Sequence, residues 1–410
     1  MAPSPIAVDV ADGLGVAGHD VEIVERKGLG HPDTMCDAMM ESVSVALCRE
    51  YLRVFGAILH HNCDKGLLIA GGAEHALGGG RITAPMRLIF GDRASFGAGA
   101  KRVDVPAIAV DAARAWLRSH LPRLDPERHF AFQVELQPGS EELTALFDGK
   151  GVLGANDTSA GVGYAPLSET ERLVLATERC VNGTEFKRRF PVTGEDVKVM
   201  GIRRGSRLDL SLAVPLVDTL VTSEAAYFAI RRAVRDDVLA SLRSRLAAID
   251  ELSLEVNPLD REGAGLAGMY LTVLGTSAEG ADSGQVGRGN RVNGLIAFHR
   301  PQSLEATAGK NPVSHVGKIY NVLAHRLAGL IHSRVAGVSE ATVWLVSRIG
   351  RPIDEPQLAQ VGLRLAPGAT LSDVAPGARA IVEEELTRLP AFCAELAEGK
   401  HPVVGPLACD

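Results

Sequence analysis

Aromatic side chains are scarce in this 410-residue chain, at 4%. Rows of stacked rings for single-stranded nucleic acid are therefore not expected. The net charge of −7 points the same way, because general phosphate-backbone binders carry a basic surplus. An acidic balance still leaves room for a local basic pocket that takes a small polyphosphate. The six cysteines, Cys36, Cys48, Cys63, Cys180, Cys393 and Cys409, include no C-x-x-C pair. Neither a zinc site nor a redox dithiol is signalled, and scattered single thiols suit a reducing cytosol. The first twenty residues, MAPSPIAVDVADGLGVAGHD, lack a basic leader, and Asp9 and Asp12 break their apolar stretch, so no secretory signal is expected. No apolar run reaches about 18 residues, so no membrane span is indicated. G-x-x-x-x-G-K-[ST] occurs nowhere, and no G-x-G-x-x-G follows a strand in a βαβ unit. The expectation is a cytoplasmic globular protein that binds neither membrane nor nucleic acid.

A chain of this length exceeds the about 250–300 residues at which single cores stop growing. Residues 1–17 read as a flexible extension. VEIVER (21–26) alternates as a half-buried strand. After the turn KGLGHPD, Pro32 suits the first helical position, and apolar spacing predicts a helix over 35–52 in which Asp33, Asp37 and Glu41 share one face. AILHHN, KGLLIAGG, MRLIFGDRA and HFAFQVEL read as strands, and VDAARAWLRSHL as a helix. SETERLVLATERCVNG (168–183) reads as a helix with Ser168 and Glu171 as a capping box. KVMGIRRGSRLDLSLAVPLV reads as a hairpin, residues 223–249 as a long helix, and LSLEVNPLD and MYLTVLGTSAE as strands. A helix over 311–334, a strand and exit loop over 341–356, and a helix over 378–399 broken near Pro390 complete the pattern. The fold class is α+β with mixed, mostly antiparallel sheets. A sheet-with-helices unit recurs about three times, which suggests three related subdomains, 18–145, 146–270 and 271–410, with segments exchanged between them.

Five segments could carry chemistry. In ERKGLGHPDTMCD (25–37), Asp33 lies at a helix N-terminus, where the dipole keeps a carboxylate ionised and fit for Mg²⁺; His31 is placed to donate to an anionic oxygen. LGANDTSAGVGYAP (153–166) reads as a loop of polar groups between glycines, which could cradle a ligand. In GEDVKVMGIR, Asp196 and Lys198 alternate onto one strand face. GTSAEGADSGQVGRGNRVNG (275–294) crowds six glycines with Asp282, Arg288 and Arg291, and Arg supplies bidentate phosphate contacts. In GKNPVSHVGK, Lys310 and Lys318 surround a helix start, where a lysine opposes the dipole and calls for an anion nearby. Acids, lysines, arginine and histidine among glycines are what a Mg²⁺-chelated triphosphate requires.

The long motifs VERKGLGHPD, NDTSAGVGYAPLSETERLVL, GEDVKVMG, VGRGNRVNGLI and GKNPVSHVGKIYN resemble archaeal-type methionine adenosyltransferases, from about Val21 to about Pro356. The resemblance implies formation of S-adenosylmethionine from ATP and L-methionine. Sulfur attacks C5′, and the displaced triphosphate is then hydrolysed to pyrophosphate and phosphate. It implies His31, Lys198, Arg288 and Lys310 as catalytic, and Asp33 and Asp282 as ligands of Mg²⁺, two per site, with K⁺ as a further cofactor. Glu25, Asn156, Asp157, Thr158, Ser159, Ala160, Asp196, Arg291, Asn311, Ser314, His315 and Lys318 are the implied ATP- and methionine-binding residues. It also implies three-part α+β subunits in pseudo-threefold arrangement, paired as a homodimer with active sites between subunits.

The chain departs from the pattern at several positions. Ala160 stands where an aromatic is usual, Ser283 where a second acid is common, Ser314 for asparagine and Gln302 for methionine. The segment from Gly72 to Gly78 is shortened. Ala160 motivates an alternative: a specialised paralogue that takes a bulkier S-alkyl homocysteine or an altered nucleotide. A non-catalytic nucleotide-binding homologue is the second alternative; the intact charged residues oppose it.

Overall fold

The computed structural model describes residues 5–139, 154–401, 403 and 404. Its first third carries β1 (Ile6–Val10), β2 (Val21–Lys27), α1 (Pro32–Phe55), β3 (His61–Ile69), β4 (Met86–Ala94), α2 (Val105–His120) and β5 (Phe130–Val134). The middle carries β6 (Ala160–Ala165), α3 (Glu169–Asn182), β7 (Lys198–Arg204), β8 (Arg207–Ala213), α4 (Glu224–Arg243) and β9 (Glu251–Val256). The last third carries β10 (Gly284–Gln285), β11 (Ile296–Ala297), α5 (Val316–Arg334), β12 (Val338–Val346), β13 (Leu358–Leu365), α6 (Leu371–Thr387) and α7 (Leu389–Ala397).

These strands form three principal sheets, ordered β1-β13-β12-β6, β9-β8-β7-β2-β11 and β10-β3-β4-β5. One pair in each is parallel, β1 with β13, β8 with β9 and β4 with β5. The other pairs are antiparallel. The fold is α+β. Each sheet covers its own core: α5, α6 and α7 pack on the first sheet, α3 and α4 on the second, α1 and α2 on the third. Every sheet draws strands from distant parts of the chain, so the three units interleave along the sequence. The expected boundary at 145/146 lies outside the described residues.

Residues 5–17 correct the expectation of a flexible extension. Ile6–Val10 is an edge strand parallel to β13, with Ile6 buried, because an apolar residue and an open ladder edge outweigh the loose composition around them. β13 lies just beyond the strand and exit loop expected over 341–356 and was not among the expected elements. MYLTVLGTSAE is strand only over Leu271–Thr272. The buried carboxylate of Glu279 accepts from the N–H groups of Val273 and Leu274, at 2.7 and 2.6 Å, and from the Thr272 hydroxyl. A side chain thus takes the donors that a ladder would use.

The loop expected over 153–166 is strand in its second half. Ala160–Ala165 is β6, paired with β12. A Cβ on Gly161 or Gly163 would lie 2.4 or 2.1 Å from α5 backbone atoms, so these glycines let a helix press against a strand.

Candidate active site

Helix α1 is built for its position. His31 is its N-cap, with Nδ1 accepting from the Asp33 N–H at 3.2 Å, and Pro32 follows. Gly56 ends the helix in the left-handed region, φ 75°. Met35, Met39, Val43 and Leu47 are fully buried beneath the third sheet. The acids share the opposite face, as their spacing predicts, and there they hold glycine-rich chain. Asp33 accepts from Gln285 N–H at 2.9 Å, Asp37 from Gly287 N–H at 2.9 Å, and Glu41 from Gly309 N–H at 2.9 Å. Three acids one turn apart thus fasten the 284–291 loop and the approach to α5. Close approach demands glycine at 284, where a Cβ would sit 2.1 Å from the Pro32 carbonyl oxygen.

Burial pushes the Asp37 carboxyl up to about 7, against the Gly287 N–H bond and the Arg291 charge, which favour ionisation. The folded state therefore binds more protons than the unfolded one between the ordinary value of 3.8 and about 7. That contribution to stability is complete below 3.8 and is lost as pH rises through 7. Asparagine keeps the acceptor and does not ionise. The Tm of Asp37→Asn relative to wild type should therefore climb by about 2 °C or more between about pH 5 and pH 8. A difference that stays flat across thermal scans in this range removes the assignment.

Two groups of charged side chains meet at the 284–291 loop. The first surrounds the α1 N-terminus. Lys27 Nζ bridges the Asp33 carboxylate at 2.8 Å and the Arg288 carbonyl at 2.7 Å. Lys198 pairs with Glu25 at 3.2 Å and stays 44% exposed. Burial, then the positive charges of Lys27 and Lys198 against the opposing Asp33, bring His31 down to about 4. The imidazole is neutral at pH 7, and because Nδ1 is an acceptor, Nε2 carries the proton. Asp196 is buried and accepts from the Ser277 N–H at 2.8 Å and from its hydroxyl. Burial, and more weakly the charge of Asp282, raise it to about 6.

The second group lines an open cleft of about 1040 Å³ between β3, β6 and residues 285–288 and 301–306. Lys310, 3% exposed, makes a short ion pair with Asp64 and another with Glu305 at 3.2 Å. The anion expected near a lysine at this helix start is thus supplied in part by the protein. Burial acts to raise the Asp64 carboxyl, but Lys310 and Lys65 outweigh it and hold it below its usual range. His315 caps α5 as His31 caps α1, with Nδ1 accepting from Gly317 N–H at 3.2 Å; burial and the Lys310 charge press it well below its ordinary value. Ser159 donates to Glu305 at 2.9 Å. Trp344, opposite Val162 in register, stands in the cleft beside Ala160.

A family model described as S-adenosylmethionine synthetase (AdoMet synthetase) matches residues 4–400. The chain belongs to that family. It is 45% identical to the S-adenosylmethionine synthase of Aeropyrum pernix, covering 92% of this chain and 94% of the relative. Identity to the S-adenosylmethionine synthase of Methanothermobacter thermautotrophicus is 41%, over 96% and 98% of the two chains. A probable S-adenosylmethionine synthase of Aquifex aeolicus is 44% identical, over 90% and 92%. These relatives support the synthetase over a specialised paralogue or a non-catalytic homologue. Ala160 and Trp344 both line the cleft.

Of the residues the family resemblance implied, Asp157, Ser159, Ala160, Arg288, Lys310 and His315 line the cleft. Glu25, His31, Asp33, Asp196, Lys198 and Asp282 make up the adjoining group. Most of the remainder make contacts within the protein. Lys318 is fully buried and pairs with Glu41 at 2.7 Å. Asn311 donates to the Leu59 carbonyl at 3.0 Å. Arg291 donates to the carbonyls of Gly287 and Gly289 at 2.5 and 2.9 Å. Thr158 receives the Ile349 N–H, while Asn156 Oδ1 and Ser314 Oγ are buried with no hydrogen-bond partner among the described residues. Sequence reasoning missed Asp64, Lys65, Glu305 and Trp344. Asp64 and Lys65 lie where AILHHN and KGLLIAGG join, and the paired charges in a strand were the available signal.

Among the described residues, no group of three or more His, Cys, Asp or Glu could hold a metal by itself. Mg²⁺ commonly takes one or two carboxylates and completes its shell with phosphate and water. Exposed Asp282 and the Asp33 carboxylate fit that demand. No helix among the described residues is long and apolar enough to cross a membrane.

Proposed function

We propose that this cleft forms S-adenosylmethionine from ATP and L-methionine. The sulfur attacks C5′ of ATP, the C5′–O bond breaks, and triphosphate leaves before its hydrolysis to pyrophosphate and phosphate. The observation that carries this reading is the convergence of Lys310, Arg288 and Lys65 with Asp157 and Ser159 on one open cleft of about 1040 Å³, inside a chain of this family. Arg288, Lys310 and Lys198 would neutralise the leaving group. His31, neutral with Nε2 protonated, would donate to an oxygen of the departing triphosphate. Asp33 and Asp282 would hold Mg²⁺, two ions per site, which when bound neutralises phosphate charge; K⁺ is a further cofactor of the proposal. Asp157, Ser159 and Ala160 would face the substrates, with Asp196 and Glu25 on the amino and adenosine side.

The protein works as a homodimer in this reading, its sites completed between subunits in the cytoplasm. Exposed Leu67, Ile69 and Leu304, the last 96% exposed, lie on and beside the cleft, where a second copy would cover them.

Product analysis tests the reading. Protein, ATP, Mg²⁺ and methionine should yield S-adenosylmethionine with pyrophosphate and phosphate in equal amounts, followed by mass spectrometry. Methionine-independent release of phosphate, without the sulfonium product, sinks it. A binding readout adds to it. Trp344 and Trp116 are the only tryptophans, and Trp116 lies on α2, stacked on His120 at 4.7 Å. In Trp116→Phe, ATP should quench the remaining emission; emission indifferent to saturating ATP would place the nucleotide away from Ala160 and Trp344.

A further inference from the structure

Between β3 and β4 the chain forms a small hairpin that belongs to none of the three principal sheets: Gly72–Glu74 pairs antiparallel with Arg81–Ala84. Its turn is fastened to the 218–221 segment. Gly78 N–H donates to the carbonyls of Asp218 and Val221, at 3.1 and 2.9 Å, and Gly80 N–H to the Asp218 carboxylate at 2.8 Å. Close approach demands glycine at 80, where a Cβ would lie 2.2 Å from the Glu74 carbonyl oxygen and 2.4 Å from that carboxylate. The base of the hairpin is fastened elsewhere. Gly71 N–H donates to the Ala278 carbonyl at 2.9 Å, and Ala70 N–H to the Ser283 hydroxyl at 3.0 Å. The hairpin thus braces residues 277–283, the segment that carries Asp282.

That segment is a tight turn. The N–H groups of Ala281 and Asp282 both donate to the Ser277 carbonyl, at 2.8 and 3.0 Å, while Ser277 holds Asp196. Glu279 ties the turn to residues 272–274. One more donor reaches the same carboxylate: His75 Nε2, at 2.8 Å. A carboxylate only accepts, so Nε2 carries a proton and donates. The Glu279 side chain is 2% exposed and that of His75 34%, so this bond joins the interior to the rim of the hairpin. The Glu279 bond, and then the charges of Glu279 and Asp218, raise the imidazole above its ordinary value against the effect of burial. His129 also sends its charge toward Glu279, and the nearby Glu74 is paired with Arg81. No hydrogen bond or ion pair among the described residues holds the exposed Asp282 carboxylate. Its place is set by the turn beneath it.

We infer that His75 is a positioning residue: through Glu279 it fixes the 277–283 turn and so holds Asp282 ready for a divalent cation. The inference rests on the proposed assignment of Asp282 to the metal. Groups behind a metal ligand set its orientation, and losing one commonly weakens metal binding by about 10- to 100-fold.

Two variants of the whole protein test it. His75→Phe keeps a ring but removes the donor, and His75→Gln keeps a neutral donor. Mn²⁺ is the probe, titrated with ATP present and methionine absent, so that binding is read apart from transfer. Water-proton relaxation should show Mn²⁺ affinity about tenfold weaker in His75→Phe, the lower end of that range, and closer to wild type in His75→Gln. Hydrogen exchange followed by mass spectrometry should show a peptide spanning 276–283 opening about tenfold more often in His75→Phe, with α1 unchanged. Tm should hold within about 2 °C, because His75 lies at the rim. If either the Mn²⁺ affinity or the exchange of the turn stays at its wild-type value in His75→Phe, the inference falls. Product analysis with methionine judges the transfer reaction separately: wild-type protein that makes no S-adenosylmethionine while both changes appear in the variant would retain the positioning role and lose the reaction.

Discussion

Replacing His31 with asparagine is expected to slow adenosyl transfer by about 100- to 1,000-fold, the usual loss when a donor to a developing oxyanion is removed. The choice of asparagine matters. His31 also caps α1 through Nδ1, and alanine would forfeit the cap, at about 1 kcal/mol. Asparagine is among the best caps, so Tm should hold while transfer falls. With its value at about 4, the imidazole donates without first taking up a proton, and the rate should show no inflection near 6.5 from this group. The stability sign is separate. Below 6.5 the unfolded chain protonates this histidine, whereas the folded one resists until about 4. The unfolded state binds more protons across that window, so stability falls as pH drops through it, and the variant should lose that part of the acid sensitivity. Transfer within a few-fold of wild type, measured with an intact Tm, contradicts the role given to His31.

The second large effect is expected at Lys310. Lys310→Met leaves the Asp64 carboxylate buried beside only the exposed Lys65, and breaking such a pair from one side costs about 3–5 kcal/mol. Asp64 is held below its usual range by Lys310 and Lys65. Its stabilising contribution is therefore present above the ordinary value of 3.8 and lost as pH falls through the lower folded one. In the variant that acid-side loss should begin at higher pH. Adding Asp64→Asn removes the stranded charge and should restore most of the stability. It should not restore turnover, because the cation facing the triphosphate is still missing. Denaturant melts and product assays on the two single variants and the double variant decide it. Recovery of activity together with stability would make Lys310 a structural residue only.

Much of the local structure could be read from residue order. Alternation in VEIVER, the Pro32 helix start, the Ser168–Glu171 capping box and the hairpin at 198–213 depend on contacts a few residues apart. Such contacts leave a period in the sequence. The failures share a cause as well. Glu279 took the backbone donors of 272–274, Ile6–Val10 found a ladder edge more than 340 residues away, and Gly161 and Gly163 served a helix rather than a ligand. The last two sets of partners are far apart in sequence, and Glu279, five to seven residues from its donors, acts through a side chain; neither kind of contact leaves a period.

The candidate site divides along the same line. Residue types and motif spacing marked His31, Asp33, Arg288 and Lys310, because the chemistry of a triphosphate demands metal-binding acids and fixed cations among glycines. The stripe of Asp33, Asp37 and Glu41 was visible from its four-residue spacing. What the stripe holds was not, since Gln285, Gly287 and Gly309 lie about 250–270 positions away. The sequence by itself determined the family, the α+β class and the charged residues that reactive phosphate requires. Only the tertiary structure decided which of those charges face the cleft and which, like Lys318, are spent inside. A side chain's exposure and partner are set by the packing of distant segments, and a buried charge persists only where that packing brings its counter-charge.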